Sequence, residues 1–333
     1  MAHLVAELDR PMYGSNKPAW HGLGTVVAGQ PTSEEAIRYA GLDWSVSLED
    51  FYTADMVTVP GHKLTVRTDL PGSDARRVLG VVRDRYTPIQ NADAFVWADQ
   101  LVGGAGARFE SAGSLKNGRI VWLLAQLPEE IRVKDDTVAE YLLITTSHDG
   151  SKACQVLLTP IRVVCWNTLS LALNQAAAVV SIKHTASAGS RLDEARRVLG
   201  LARRYFEAAE TVFNRLADVR LSDSHVRALT EKLIPNPPEP ASDTRARNAR
   251  AEVLRLYHGG QQGARQDAVL GTAYGFVNAV AEYVDHVRNT RGSDATARQE
   301  NRFESIHWGS AADMKRRALE LTAESVGLEL TAN

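Results

Sequence analysis

Hydrophobic and polar positions follow no single period at the start of the chain, where YGSNKPAWHGLGTVV alternates glycine with aromatic and basic residues. A period first settles over TSEEAIRYAG, which reads as a short helix. Thr32 or Ser33 is placed to cap it, Glu34 and Glu35 suit a first turn whose free amides carry partial positive charge, and Gly41 ends it. From 43 to 87 the runs WSVSLEDFYT, HKLTVRTD and RVLGVVRDRYT are β-branched and aromatic, separated by Pro-Gly turns, and predict strands. NADAFVWADQLVG follows as a helix capped by Asn91. GRIVWLLAQL, EYLLITTSH and KACQVLLT then predict a meander, with Asp149-Gly150 supplying the positive φ of a tight turn between the last two.

Downstream the period lengthens. Thr159-Pro160 has the form of a helix start, a capping hydroxyl followed by proline. Ile161, Val164, Cys165, Thr168, Leu169, Ala172 and Leu173 then recur at helical spacing, which predicts a helix over 161–173 with Cys165 on its apolar stripe. Next, Leu192, Ala195, Leu199, Ala202, Phe206, Ala209, Phe213 and Leu216 alternate spacings of three and four, the seam of a coiled coil or helical hairpin. Its length and regularity favour packing against a second copy. LIPNPPEPASDTRARNAR, 233–250, reads as a proline-rich linker or excursion. Helices resume after it, in GTAYGFVNAVAEYVDHVRN and again after Trp308-Gly309.

These patterns predict an α+β fold: a central antiparallel meander packed on helices, with a mostly helical C-terminal half. The expected regions are 1–90, loop-rich and mixed; 91–232, central sheet plus long helix; 233–250, linker; and 251–333, helical. The 333 residues, 44% hydrophobic and 23% charged, have the composition of a soluble globular protein. No apolar run reaches the roughly 18 residues that cross a bilayer, so no membrane partner is expected. The acidic N-terminus lacks the pattern of a signal peptide, and two cysteines suit a reduced cytoplasm.

A net charge of −2 argues against a generic nucleic-acid binder, but the charge is uneven. Residues 1–60 hold three Lys/Arg against eight Asp/Glu, whereas 151–192 contain no acid. Lys152, Arg162 and Lys183 fall in that acid-free stretch, and Arg196, Arg197, Arg203 and Arg204 follow it one heptad apart. On the expected 161–173 helix, Arg162 and Trp166 share an edge with Asn167, Ser170 and Asn174. Arginine suits phosphate, tryptophan a base face, and asparagine and serine sugar or base edges. The bland alternative for that edge, and for the arginine ridge, is a solvated face. Glu282, Asp285 and His286 have the spacing of three metal ligands on one helix face, against the alternative of solvated charges. Turn chemistry accounts for His148 and Asp149 more simply than an acid/base pair does. No Walker loop, dinucleotide fingerprint, nucleophile elbow or zinc spacing is present, and no cofactor is implied.

AWHGLG, RDRYTPIQNADAF, TSHDGSKA, IRVVCWNTLSLAL, IKHTAS and NAVAEYVDH occur in that order. Together they resemble the phage/plasmid-like protein family, domain of unknown function 932, over roughly residues 12 to 325. The resemblance implies a protein carried by phages, plasmids and integrated elements in a bacterial cytoplasm, and it carries no catalytic residues. The architecture, a meander then a basic helix, also resembles the β-β-β-α core of phage single-strand annealing proteins, which grip the backbone in a basic groove and often form rings or filaments. The leading expectation is therefore a non-enzymatic single-stranded DNA-binding or annealing protein. Its contacts would be Lys152, Arg162, Trp166, Asn167, Lys183, Arg196, Arg197, Arg203 and Arg204. The alternatives are an interaction module acting on a host protein and a metal-dependent hydrolase. Single-stranded DNA, a host protein and further copies of the chain are the candidate partners.

Overall fold

The computed structural model describes residues 6–9, 25–28, 31–96, 98–99, 106–162, 167–168, 179–181, 188–259 and 269–330. Strands dominate the first half and helices the second, an α+β fold with antiparallel sheets N-terminal. The chain forms two compact units that interleave along the sequence. One comprises 1–128, 141–158 and 179–200, and the other 129–140, 159–178 and 201–333.

Strands β1 (Ala6–Asp9) and β2 (Thr25–Ala28) pair in parallel. Helix α1 (Ser33–Tyr39) begins as expected: the Thr32 hydroxyl accepts from the Glu35 amide, and the Glu35 carboxylate accepts from the Thr32 amide at 2.9 Å. β3 (Val46–Tyr52), β4 (Thr58–Arg67) and β5 (Val78–Arg83) form a three-stranded antiparallel sheet, matching the three β-branched runs. After α2 (Asn91–Val96) the chain enters β6 (Arg108–Leu115), β7 (Ile120–Val133), β8 (Asp136–Ser147) and β9 (Gln155–Arg162), neighbours in one larger sheet. Its order is β10-β9-β8-β7-β6-β1-β2, where β10 is Asn167–Thr168, and β11 (Val179–Ser181) also pairs β9. The central strand β8 is buried on both faces, so it reads as an apolar run without alternation. β6 has no counterpart among the expected strands, because Ser111, Gly113 and Ser114 interrupt its apolar positions; Phe109, Ala112 and Leu115 are nonetheless buried.

The helix expected over 161–173 is corrected where that stretch is described: 161–162 and 167–168 are strand. Thr159, Pro160 and Ile161 lie buried in β9, and Asn167 and Thr168 pair back onto Arg162 and Ile161 as an antiparallel strand. The helical spacing of apolar residues here competes with a β-branched run (Val156, Thr159, Ile161, Val163, Val164) that suits a pleated strand between neighbours. Residues 163–166, which include Cys165 and Trp166, and residues 169–173 lie outside the described residues. Cys154 is buried and free, with its thiol pushed up to about 12 by burial.

Helix α3 (Ala188–Asp218) realises the long seam. Ala202, Phe206, Ala209, Phe213 and Leu216 are no more than 1% exposed within a single chain, whereas Leu199 is half-buried. Regular spacing marks a packed helix but does not say whether its partner is the same chain. Near its end Asn214 donates to the Arg132 carbonyl (2.7 Å) and accepts from the Lys134 amide, while Lys134 pairs with Asp218 (2.6 Å). The proline-rich stretch is shorter than expected: α4 (Asp223–Leu233) precedes it and α5 (Thr244–Tyr257) begins inside the 233–250 span. α6 (Ala273–Glu282) is buried all round and runs into a π-helical turn, Tyr283–Val287. α7 (Ala295–Trp308) and α8 (Ser310–Ser325) complete the fold. No described helix is long and apolar enough to cross a membrane.

Candidate functional site

The motif residues RDRYTPIQNADAF and TSHDGSKA converge, but on a buried joint rather than a cleft. Gln90 donates to the Val46 carbonyl (3.0 Å) and accepts from the Val46 amide (2.8 Å), acting as one extra rung on β3. Asn91, expected as a helix cap, makes different contacts. Its carboxamide donates to the carbonyls of Leu42 (2.8 Å) and Trp44 (3.3 Å), and its oxygen faces His148 Nε2 at 2.7 Å. With the Asn91 nitrogen spent as a donor, the oxygen must accept, so His148 carries its proton on Nε2. Burial holds the His148 imidazole neutral, with its pKa lowered to about 4. Its amide donates to the Arg119 carbonyl (2.8 Å), and its ring meets Trp44 edge-on at 5.3 Å. The Trp44 ring also carries the Arg67 guanidinium, 4.3 Å from the ring centroid.

Two glycines let this joint close. A Cβ on Gly80 would sit 2.7 Å from Asp149 Cα, and one on Gly118, where φ is +100°, would meet the Trp44 ring at 2.8 Å. Tyr86 adds a hydrogen bond to the Ser147 carbonyl (3.0 Å). Asp149 does turn chemistry, accepting from the Ser151 amide at 2.9 Å, and the positive φ belongs to Gly150. His148, by contrast, is a fully buried tertiary contact rather than a turn residue. A neutral, inaccessible imidazole hydrogen-bonded to an amide has no route to a substrate, so this cluster ties elements together.

The exposed chemistry lies on α3. Arg196, Arg197 and Arg203 keep 69%, 48% and 82% of their side chains exposed. Each has a same-helix carboxylate: Asp193 for Arg196 (3.5 Å), Glu194 for Arg197 (2.6 Å) and Glu207 for Arg203 (2.9 Å). Arg204 is exposed, and among the described residues it has no ion pair. The ridge therefore has more matching acid than its sequence suggests, because Asp193, Glu194 and Glu207 sit three or four residues from the arginines and so on the same side of the helix. Lys152 is half-buried in the loop before β9. Arg162 and Asn167 are brought opposite each other in the β9–β10 ladder, not along one helix edge. Trp166 and Lys183 lie outside the described residues.

Glu282, Asp285 and His286 lie at the end of α6 and in the turn that follows it. Among the described residues no group of three or more His, Cys, Asp or Glu is placed to hold a metal ion. The π-helical turn from Tyr283 to Val287 bonds i to i+5 and shifts the residues out of the α-helical register on which their shared face depended. Asp285 is instead fully buried against Lys315 of α8, oxygen to Nζ 2.9 Å. Burial pushes the Lys315 ammonium below its ordinary value, and Asp285 pulls it partly back. Arg302 secures the same turn by donating to the carbonyls of Asp285 (2.8 Å) and Arg288 (3.0 Å). Sequence reasoning passes over Lys315, since a lysine in a charged helix gives no sign that it is the buried one.

No curated protein matches the chain, and no solved structure does. A family model does match, over residues 78–307, from β5 to the end of α7; this is narrower than the 12–325 span of the motif resemblance. Asn91 and His148, the meander, α3 and the π-helical turn fall within it, while Leu42, Trp44 and Arg67 of the joint lie before it. The chain belongs to the family described as Domain of unknown function (DUF932).

Proposed function

We propose that the chain is a non-enzymatic single-stranded DNA-binding protein of annealing type, serving phage or plasmid DNA metabolism. The observation that carries this reading is the succession of a long antiparallel meander, β6 to β9, and a 31-residue helix that holds Arg196, Arg197, Arg203 and Arg204 to solvent. Sequence-tolerant binding needs positive charge along a backbone track together with aromatic faces on which bases stack. The exposed ion pairs on α3 do not forbid it, because such pairs are worth about 0–1 kcal/mol and phosphate competes with them. A titration of labelled oligothymidine at two salt concentrations tests the reading. The expected result is affinity at low salt that falls steeply as salt rises. Arg196→Ala and Arg203→Ala should each weaken binding and flatten the salt dependence, since each phosphate contact releases counterions. No binding at low salt removes the proposal.

A second reading, an interaction module for a host protein, draws on a different surface. Of the eight large hydrophobics that stand exposed among the described residues, Leu48, Tyr52, Met56, Val57 and Val81 belong to the three-stranded sheet and its β3–β4 hairpin. Leu48 and Val81 fall on opposite faces of that sheet, whereas Met56 and Val57 stand together at the hairpin tip beside the Tyr52–Thr58 pairing and form its most exposed apolar spot. Co-purification of a host protein that survives nuclease treatment, and is lost in Met56→Asp, supports this reading over the first. The hydrolase alternative has no ligand set among the described residues to rest on.

A further inference from the structure

Glu194 is only 17% exposed, yet a neighbour in the same helix holds its carboxylate. Arg197 grips it with two nitrogens, Nε to Oε2 at 3.0 Å and Nη2 to Oε1 at 2.6 Å. The guanidinium also points one N–H toward the Ser181 carbonyl of β11 at 3.5 Å. A bidentate carboxylate fork presents to arginine the same pair of oxygens that a phosphate would. The other ridge pairs are looser: Arg203 meets Glu207 through a single nitrogen, both well exposed, and Arg196 reaches Asp193 only at 3.5 Å.

We propose that Glu194 is a built-in competitor for phosphate, an autoinhibitory clasp that holds Arg197 out of nucleic-acid contact. This inference rests on the single-stranded DNA reading and assigns that surface its regulation. The clasp keeps the resting affinity low, and Arg197 joins the contact only when a phosphate displaces the carboxylate. Arg203, weakly paired, and Arg204, without an ion pair among the described residues, make the first contacts.

The test is the anisotropy of labelled oligothymidine titrated with the full chain at low salt. Glu194→Gln keeps the shape of the side chain and removes the charge, so it should tighten binding several-fold. In the Glu194→Gln background, Arg197→Ala should erase the gain, because the released guanidinium is what makes it. Glu231→Gln, an exposed acid on α4, controls for the general loss of negative charge and should leave affinity nearly unchanged. The clasp is overturned if Glu194→Gln brings no gain, if the gain survives Arg197→Ala, or if Glu231→Gln matches it. Binding by wild type without these couplings removes the clasp and leaves the DNA reading standing. If neither wild type nor Glu194→Gln binds at low salt, both fall; binding by Glu194→Gln alone supports both.

Discussion

Asn91 has the clearest measurable consequence of any single residue. Its side chain answers two carbonyls and one imidazole in a buried place, so Asn91→Ala strands three polar groups at once. The expected loss is on the order of 3 kcal/mol, read as a lower midpoint in urea unfolding with an unchanged slope. His148 adds a pH dependence. Its folded pKa of about 4 lies below the ordinary 6.5, so the unfolded chain binds the proton first. Stability is therefore fully present above about pH 6.5 and falls as pH drops toward 4, by on the order of 3 kcal/mol over that window. His307, buried to the same end with its pKa lowered to about 3, titrates in the same direction. His148→Gln should lose less stability between pH 7 and pH 5 than wild type; an equal loss would place the effect elsewhere. At this scale the sequence shows which residue types are unusual, but it assigns Asn91 to a cap. Asparagine before an apolar run fits a cap well on local grounds, and only the approach of Leu42, Trp44 and His148 outbids it.

Among elements, α3 and α8 carry separate tests. Phe206 is 1% exposed in the middle of the α3 seam, so Phe206→Ala should cost about 3 to 5 kcal/mol in urea unfolding. A change near zero would mean the seam is not packed as described. Lys315→Met leaves the Asp285 carboxylate buried without its cation and should cost about 3–5 kcal/mol, whereas the double change with Asp285→Leu should recover most of that loss. Failure of the double variant to recover would show that the pair is not what costs the single variant its stability. The seam is legible because a strict three-four spacing sustained over seven turns suits little but a packed helix. The 161–173 stretch is not, because a run of mixed β-branched and small apolar residues satisfies a helix stripe and a buried strand alike. Neighbouring strands on both sides of β9 decide that ambiguity, and they are not local to the run.

At the scale of the whole molecule, the family span and the folding unit differ. Residues 78–307 leave out β3 and β4, the other two strands of the β5 sheet, and they leave out Lys315. A chain cut to 78–307 should lack a cooperative thermal transition by circular dichroism, since β5 would lose its sheet, Leu79 part of its cover and Asp285 its partner. A sharp transition near that of the full chain would show the outer segments to be dispensable.

By itself the sequence determined the fold class, the strands from 46 to 83, the start of α1 with its cap at Thr32 or Ser33, and the seam of α3 that is buried from Ala202 to Leu216. Each of these is set by residues a few positions apart, through backbone preference, capping or period. Tertiary structure alone decided that β9 continues through Ile161, that His148 is a core residue, that Lys315 is buried and that Arg197 also reaches the Ser181 carbonyl of β11. Those outcomes depend on which distant groups arrive at the same place, and on desolvation there, which no local pattern encodes.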